Sequence, residues 1–185
     1  MGRTLSHFHT QRTASLYLAM AHDTKLDPRL FDLLPNDVPD DSLQQDISIQ
    51  LGVQRLSEST PEQAMMKHNC GVVWGSNNRL FVPMSVALDA GPINIHFLID
   101  TGAPVTYLGR KALRALGAAE SDMKTDGFSW AVTINGINLK AVMSPLDKQF
   151  PDINLLGSDF LVTGRCILTA NYVSKTCVVE LGATL

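Results

Sequence analysis

Short apolar runs separated by turn sequences dominate the chain from Val72 onward and predict a mainly β structure. Residues 80–88 and 93–99 flank Asp89-Ala90-Gly91-Pro92, so these two runs are expected to form an antiparallel pair of strands. The second run places apolar side chains on one face at alternate positions: Ile93, Ile95, Phe97 and Ile99. This pair is the first predicted part of a β-sheet core.

A second hairpin is predicted at Asn135-Gly136, because both residues accept the positive φ angles of a type I′ turn. Its strands are residues 128–134 and 137–143. One helix is expected over residues 110–116, ending at Gly117. Two more strands follow toward the carboxyl end, at residues 166–170 and 176–181. One helix among roughly seven strands predicts a small all-β domain.

The first 70 residues follow a different pattern, in which prolines at 28, 35 and 39 break the chain into short pieces. Thr60 and Pro61 are typical of a helix start, and this helix is expected to end near His68. Residues 43–53 fit a helix or a strand equally well. A domain boundary near residue 70 is therefore predicted, with a mainly helical or irregular region, 1–70, before the β domain, 71–185.

Composition excludes several classes of protein. The chain has 185 residues, 45% of them hydrophobic, and a net charge of −3, without the basic excess of a nucleic-acid-binding surface. No apolar run approaches the roughly 20 residues of a transmembrane segment. The His and Cys spacings are not those of a metal site. Three cysteines without a Cys-x-x-Cys pair indicate reduced thiols and a reducing compartment, which predicts a cytoplasmic location.

The amino terminus carries alternative targeting signals. Residues 1–6 fit the N-myristoylation pattern, with Gly2 as the acceptor. Residues 1–22 hold Arg3 and Arg12 and no acidic residue, as in a mitochondrial presequence. The interpretation that we favour is a first helix that packs its leucines on the body of the protein.

A carboxylate stands at the end of the most apolar predicted strand, in the sequence Asp100-Thr101-Gly102-Ala103. Asp and Gly are ordinary turn residues, so these four residues alone also have a purely structural explanation. Two further features follow in order: Thr106, and then Asn154-Leu155-Leu156-Gly157 about 55 residues after Asp100. The ordered set resembles the retropepsins, the retroviral-type aspartic proteases.

The resemblance covers roughly residues 80–181 and implies a small closed acid-protease-type barrel with one short helix. It implies that Asp100 is the catalytic carboxylate, that Thr101 locks the active-site loops by hydrogen bonds, and that Gly102 offers backbone groups to substrate. The remaining matches are Ala103 in the active-site loop and the second apolar-apolar-Gly element, Leu155, Leu156 and Gly157. The implied activity is that of an aspartic endopeptidase without a cofactor, acting on a peptide or protein substrate.

The chain is expected to be a homodimer. Acid proteolysis uses two neighbouring carboxyls that share one proton, so that one takes a proton from water while the other donates one to the scissile carbonyl. The sequence holds a single Asp-Thr-Gly and no Asp-Ser-Gly, so the second carboxylate has to come from another copy. The resemblance to the retropepsins further implies that the terminal strand 177–181 is a candidate for pairing between subunits.

The chain departs from the family in the segment that should form the flap, the glycine-rich hairpin over the substrate. Residues 109–127 are all that is available, and the predicted helix occupies part of them, so the flap is expected to be short or missing. A retropepsin-like dimerisation or scaffold module without strong catalysis is therefore the alternative function. Residues 1–70 are interpreted as a propiece, a lid or a partner-binding region, and both a retroelement-derived and a free cellular origin fit the sequence.

Overall fold

The computed structural model of the chain describes residues 38, 40–125, 127–145 and 152–182, all within the compact unit Asn36–Leu185. Its strands are β1 His68–Trp74, β2 Arg79–Ala87, β3 Ile93–Ile99, β4 Tyr107–Leu108, β5 Ser129–Ile134, β6 Ile137–Met143, β7 Asn154–Leu156, β8 Ile167–Asn171 and β9 Thr176–Glu180. Helix α1 has three consecutive pieces, Asp40–Ser42, Leu43–Ile47 with π geometry, and Ser48–Leu51. The other helices are α2 Pro61–Ala64, α3 Arg110–Ala115 and α4 Ser158–Thr163, with a 3₁₀ turn at Asp122–Lys124.

Six strands close into a barrel, in the ring order β2, β3, β7, β4, β6 and β5. The ring closes because β2 pairs with β3 through Phe81–Leu98 to Val86–Ile93 and also with β5 at Val86–Ile134. Strands β1, β9 and β8 continue the sheet outward from β2. The predicted all-β closed barrel is confirmed, although two short helices, α3 and α4, accompany it where the sequence predicted one.

Both predicted hairpins form, for the expected local reasons. At the β5–β6 turn, Asn135 has φ +43 and Gly136 has φ +79, as a type I′ turn requires. Gly117, with φ +87, follows the end of α3. Helix α2 starts at the predicted cap, where the Thr60 side chain accepts a hydrogen bond from the backbone N–H of Gln63. The α2 prediction is wrong at its other end, because the helix stops at Ala64 and the chain enters β1 at His68.

The predicted role of the last strand in pairing between subunits is wrong for this fold. Strand β9 already has a neighbour on each side, β1 through Gly71–Cys177 and β8 through Ala170–Cys177. Its backbone donors and acceptors are used within the chain. The strand at the open end of the sheet order is β8.

Strand β3 is buried on both faces, since all seven of its residues are buried. The apolar side chains at alternate positions, such as Ile95 and Phe97, enter the barrel core. On the opposite face, Leu98 belongs to a second apolar cluster together with Leu43 and Ile47 of α1. The strand is therefore sandwiched between the barrel interior and α1, which explains why residues 43–51 form a helix and not a strand.

The described part of the predicted N-terminal region thus packs on the outside of the barrel, and the predicted boundary at residue 70 falls within β1. Leu43 and Ile47 are fully buried there, against Phe81 and Leu98. The assignment of residues 1–70 to a separate domain stays a prediction, and residues 1–37, including the amino-terminal targeting signals, lie outside the described residues.

We expect Leu43→Ala to lower the free energy of unfolding by about 2–5 kcal/mol, because it leaves a cavity between α1 and the barrel. Ile49→Ala, on the same helix but 79% exposed, is the matched control and should change stability by less than about 0.5 kcal/mol. Urea unfolding of both variants measures the difference. Equal effects of the two substitutions would show that α1 does not contribute to the stability of the barrel.

Candidate active site

Asp100 directly follows β3 and is partly buried at the start of a tight turn. Its carbonyl accepts a hydrogen bond from the backbone N–H of Ala103 at 3.2 Å. Its carboxylate oxygen Oδ1 accepts from the backbone N–H of Gly102 at 2.9 Å. The loop's own backbone therefore holds the side chain in one orientation, while Thr101 and Gly102 remain exposed.

The second apolar-Gly element lies beside this loop because β3 and β7 pair in parallel. Leu98 pairs with Leu155 and Ile99 with Leu156. Asp100 extends the ladder, donating from its backbone N–H to the carbonyl of Leu156 at 3.1 Å. Parallel strands end at the same edge of a sheet, so the loops that follow them meet there. The structure thus brings the two predicted motifs together.

Thr106 joins the two loops through its side chain. It is completely buried, and its hydroxyl accepts a hydrogen bond from the N–H of Gly157 at 3.2 Å. The same hydroxyl donates to Oδ1 of Asp159 at 2.7 Å, while the N–H of Thr106 donates to Oδ2 of Asp159 at 3.0 Å. Asp159 also accepts from the N–H of Phe160 in the first turn of α4. One carboxylate thereby satisfies buried donors from both loops.

Gly157 is required by the close approach of the two loops. A Cβ atom at this position would lie 2.3 Å from the carbonyl oxygen of Val105, which is backbone and has no freedom to move aside. The next residue, Ser158, donates to the carbonyl of Ala103 from both its N–H and its Oγ, at 2.8 and 3.0 Å. The predicted site residues Ala103 and Gly157 are therefore part of one packed junction.

Asn154 ties this junction to the neighbouring strands. Its side chain is completely buried. Oδ1 accepts from the N–H of Gly109 at 2.9 Å, and Nδ2 donates to the carbonyl of His96 at 3.2 Å. The side chain thus connects β7 to β3 and to the start of α3.

Sequence reasoning assigned no role to Asp159, although a signal existed. An acidic residue in the first turn after a loop glycine is typical of a helix start, where carboxylates interact with free N–H groups. Its pairing with Thr106 depends on a contact across 53 residues of sequence, which no local pattern specifies. Asp159 is a structural support for the Asp100 loop.

Where a flap would lie, the described residues between Asp100 and β5 form β4, α3 and the 3₁₀ turn at Asp122–Lys124, and no hairpin. The 3₁₀ turn packs Met123 into the barrel core, with 3% of that side chain exposed. The short or missing flap stays a prediction. In the single chain, Thr101 and Gly102 of the Asp100 loop are exposed.

No cluster of three or more His, Cys, Asp or Glu side chains suited to a metal ion occurs among the residues that the structure describes. None of the described helices has both the length and the apolar character needed to span a membrane.

Comparison with known proteins returned a match to a solved structure, a retropepsin-like aspartic protease from Rickettsia conorii. The two chains share 18% identity with a TM-score of 0.43, over 63% of this chain and 92% of the other. No protein-family model and no curated protein matched the chain.

Thr106→Val should lower the free energy of unfolding by about 1–3 kcal/mol. The substitution keeps the shape of the side chain but leaves the Gly157 N–H without its acceptor and removes a donor from Asp159. Thr133→Val is the matched control, because its hydroxyl bonds Asn138 at the surface, and its effect should stay below about 0.5 kcal/mol. Thermal and urea unfolding measure both. A Thr106→Val protein as stable as the control would mean that this junction does not hold the loops together.

Proposed function

We propose that the protein is an aspartic endopeptidase that acts as a homodimer, with Asp100 of each chain forming a catalytic pair. The single observation that carries this proposal is the oriented carboxylate of Asp100, held by the N–H of Gly102 in a loop that the Gly157 element buttresses. Asp100 is both the acidic residue of the sequence motif and the residue whose carboxylate the loop orients.

In this mechanism the two Asp100 carboxyls face each other across a two-fold axis and share one proton. The ionised carboxylate takes a proton from a bound water, and the protonated carboxyl donates to the carbonyl oxygen of the scissile peptide bond. The water oxygen attacks the carbonyl carbon to give a tetrahedral diol. The carboxyl that took the proton from water then donates it to the amide nitrogen, the diol returns one hydroxyl proton to the other carboxylate, and the C–N bond breaks to leave a carboxylic acid and an amine. Thr101 and Gly102, both exposed beside Asp100, are positioned to contact the second loop and the substrate backbone.

The edge of the sheet that β8 forms is the feature that supports self-association in this proposal. Edge strands of monomeric proteins usually carry charges or prolines that prevent pairing with other chains. Strand β8 carries neither and presents Ile167 with 62% of its surface exposed. The neighbouring β8–β9 turn exposes Val173 at 96%. We assign β8 as the strand through which two copies pair.

A dimerisation or scaffold module without peptidase activity is the alternative function. The observation that favours it is the absence of a hairpin over Asp100 in the described residues, because an uncovered carboxyl pair is solvated and clamps a peptide poorly. The activity measurement below distinguishes the two functions.

Asp100→Asn should reduce peptide cleavage about a thousandfold or more while the fold and the dimer persist, since the amide keeps the size of the side chain but cannot exchange the proton. Asp89→Asn, in the exposed turn after β2, is the matched control and should retain activity. Cleavage of a broad peptide library between about pH 4 and 7 is the assay. If the unmodified protein and Asp100→Asn are equally silent throughout, the scaffold function replaces the peptidase.

Thr169→Lys should weaken the dimer at least about tenfold, because an antiparallel two-fold pairing of β8 brings two like charges close together. Thr176→Lys is the matched control, since Thr176 is exposed but lies on β9, which has neighbours on both sides. Sedimentation equilibrium measures both dissociation constants. A monomeric unmodified protein at all micromolar concentrations would exclude the dimer, and a dimer unaffected by Thr169→Lys would exclude β8 as its contact.

A further inference from the structure

Residues 40–55, which we call the strap, lie across the outer face of β3 and β7. Leu43 and Ile47 fill an apolar cluster with Leu98 and Ile153 of the barrel. The strap then returns to the sheet, and the N–H of Leu56 donates to the carbonyl of Asn94 at 2.8 Å. The strap therefore covers the back of the strand whose end carries Asp100.

His96 holds the strap from inside the sheet. Its side chain is completely buried, and its ring nitrogen Nε2 lies 2.9 Å from the carbonyl oxygen of Val53 in the strap. A neutral imidazole with its proton on Nε2 donates this bond. The other ring nitrogen, Nδ1, has no hydrogen-bond partner among the described residues. Protonation would place a positive charge on a side chain that is completely buried.

The charged surroundings of His96 oppose protonation as well. The pKa of His96 is lowered from 6.5 to about 4, chiefly by burial and also by the nearby Arg55 cation, while the backbone carbonyls of Val53 and Leu43 act in the opposite direction. Arg55 is itself 3% exposed and donates from Nη2 to the backbone carbonyl of Asp152 at 3.4 Å. From β2, the residue opposite His96 is Pro83, which carries no charge. A charged His96 would thus sit beside a second buried cation.

We propose that the strap is an acid-released latch, which protonation of His96 detaches from β3 while the barrel stays folded.

The backbone on either side of the latch is suited to such a movement. Gly52 and Leu56 flank residues 53–55, and both adopt left-handed conformations, with φ +65 and φ +61. Gly52 adopts this conformation without steric cost, and a Cβ atom there would meet nothing within 4 Å, so the chain has room to hinge at this residue. The polar contacts that follow, from Leu56 and Ser59 to β3 and its preceding turn, do not involve His96 and keep the detached strap tethered.

The direction of the pH dependence follows from the lowered pKa of His96. The detached strap exposes His96, whose pKa returns toward 6.5, so the detached form binds the proton more strongly. The latch is therefore fully held above pH 6.5 and weakens as the pH falls toward 4. Between pH 7.5 and 5 the closing equilibrium should weaken roughly thirtyfold.

Trp74 provides a local probe, because it packs against the strap cluster and the edge of Phe81, with ring centroids 6.4 Å apart. The chain has two tryptophans, so the full chain with Trp130→Phe reports from Trp74 alone. On acidification from pH 7.5 to 4.5, we expect a red shift of the Trp74 emission and easier quenching by acrylamide. The far-UV circular dichroism of the barrel should remain unchanged over that range.

His96→Gln in the same background should abolish the acid response, since its amide can donate to Val53 but does not titrate. His68→Gln is the matched control, because His68 is exposed beside Glu180 on β1, and it should leave the response intact. If His96→Gln does not fold, Ile47→Val provides the second variant. It removes one methyl group from the strap cluster and should move the midpoint toward pH 6.5.

Three outcomes would overturn the latch. The first is an acid response unchanged by His96→Gln. The second is the absence of any red shift down to pH 4.5. The third is a loss of the β signal that coincides with the red shift, which would mean that strap and barrel unfold as one unit. Peptidase activity plays no part in this measurement, so the latch and the proposed catalysis stand or fall separately.

Discussion

The parallel pairing of β3 with β7 is the constraint on which the candidate site depends. These strands are separated by about 55 residues, yet Ile99 lies opposite Leu156 and the next N–H, that of Asp100, donates to the same strand. The segments that follow β3 and β7 must then turn at the same edge of the sheet, where there is room for only one side chain between them. Gly157 provides that room, because any Cβ would meet the carbonyl of Val105. The position of the carboxylate is therefore set by strand register.

The close packing of the two loops buries backbone N–H groups away from water. Polar side chains around the junction accept hydrogen bonds from these groups. Thr106 and Asp159 pair with one another and with the N–H groups of Gly157 and Phe160. Asn154 does the same for Gly109 on the other side. The side chains of Thr106, Asp159 and Asn154 all have hydrogen-bond partners, and these bonds hold the loop in one conformation. A rigid loop is what an oriented carboxylate needs.

The sequence was informative where structure is decided locally and uninformative where it is decided by distant contacts. Asn135-Gly136, Gly117 and the Thr60 cap act through the conformations of neighbouring residues, and all three are found as predicted. The interior position of β9 and the contact between Thr106 and Asp159 join residues far apart in the chain, and periodicity contains no information about them. Residues 43–53 lie between these two kinds. Their local pattern allows either a helix or a strand, and the contact with Leu98 on the outer face of β3 favours the helix.

The strap contact on the outer face of β3 and the chemistry proposed at the carboxyl end of β3 favour different pH ranges. A carboxyl pair that shares one proton works in acid, where at least one member stays protonated. Four residues earlier, the buried imidazole of His96 favours a strap contact that is strongest when the ring is neutral. The conditions that suit the proposed chemistry at Asp100 therefore loosen the support behind the same strand. Because the hydrogen bonds among Thr106, Asp159 and Gly157 involve no strap residue, the carboxylate can keep its orientation when that support is lost.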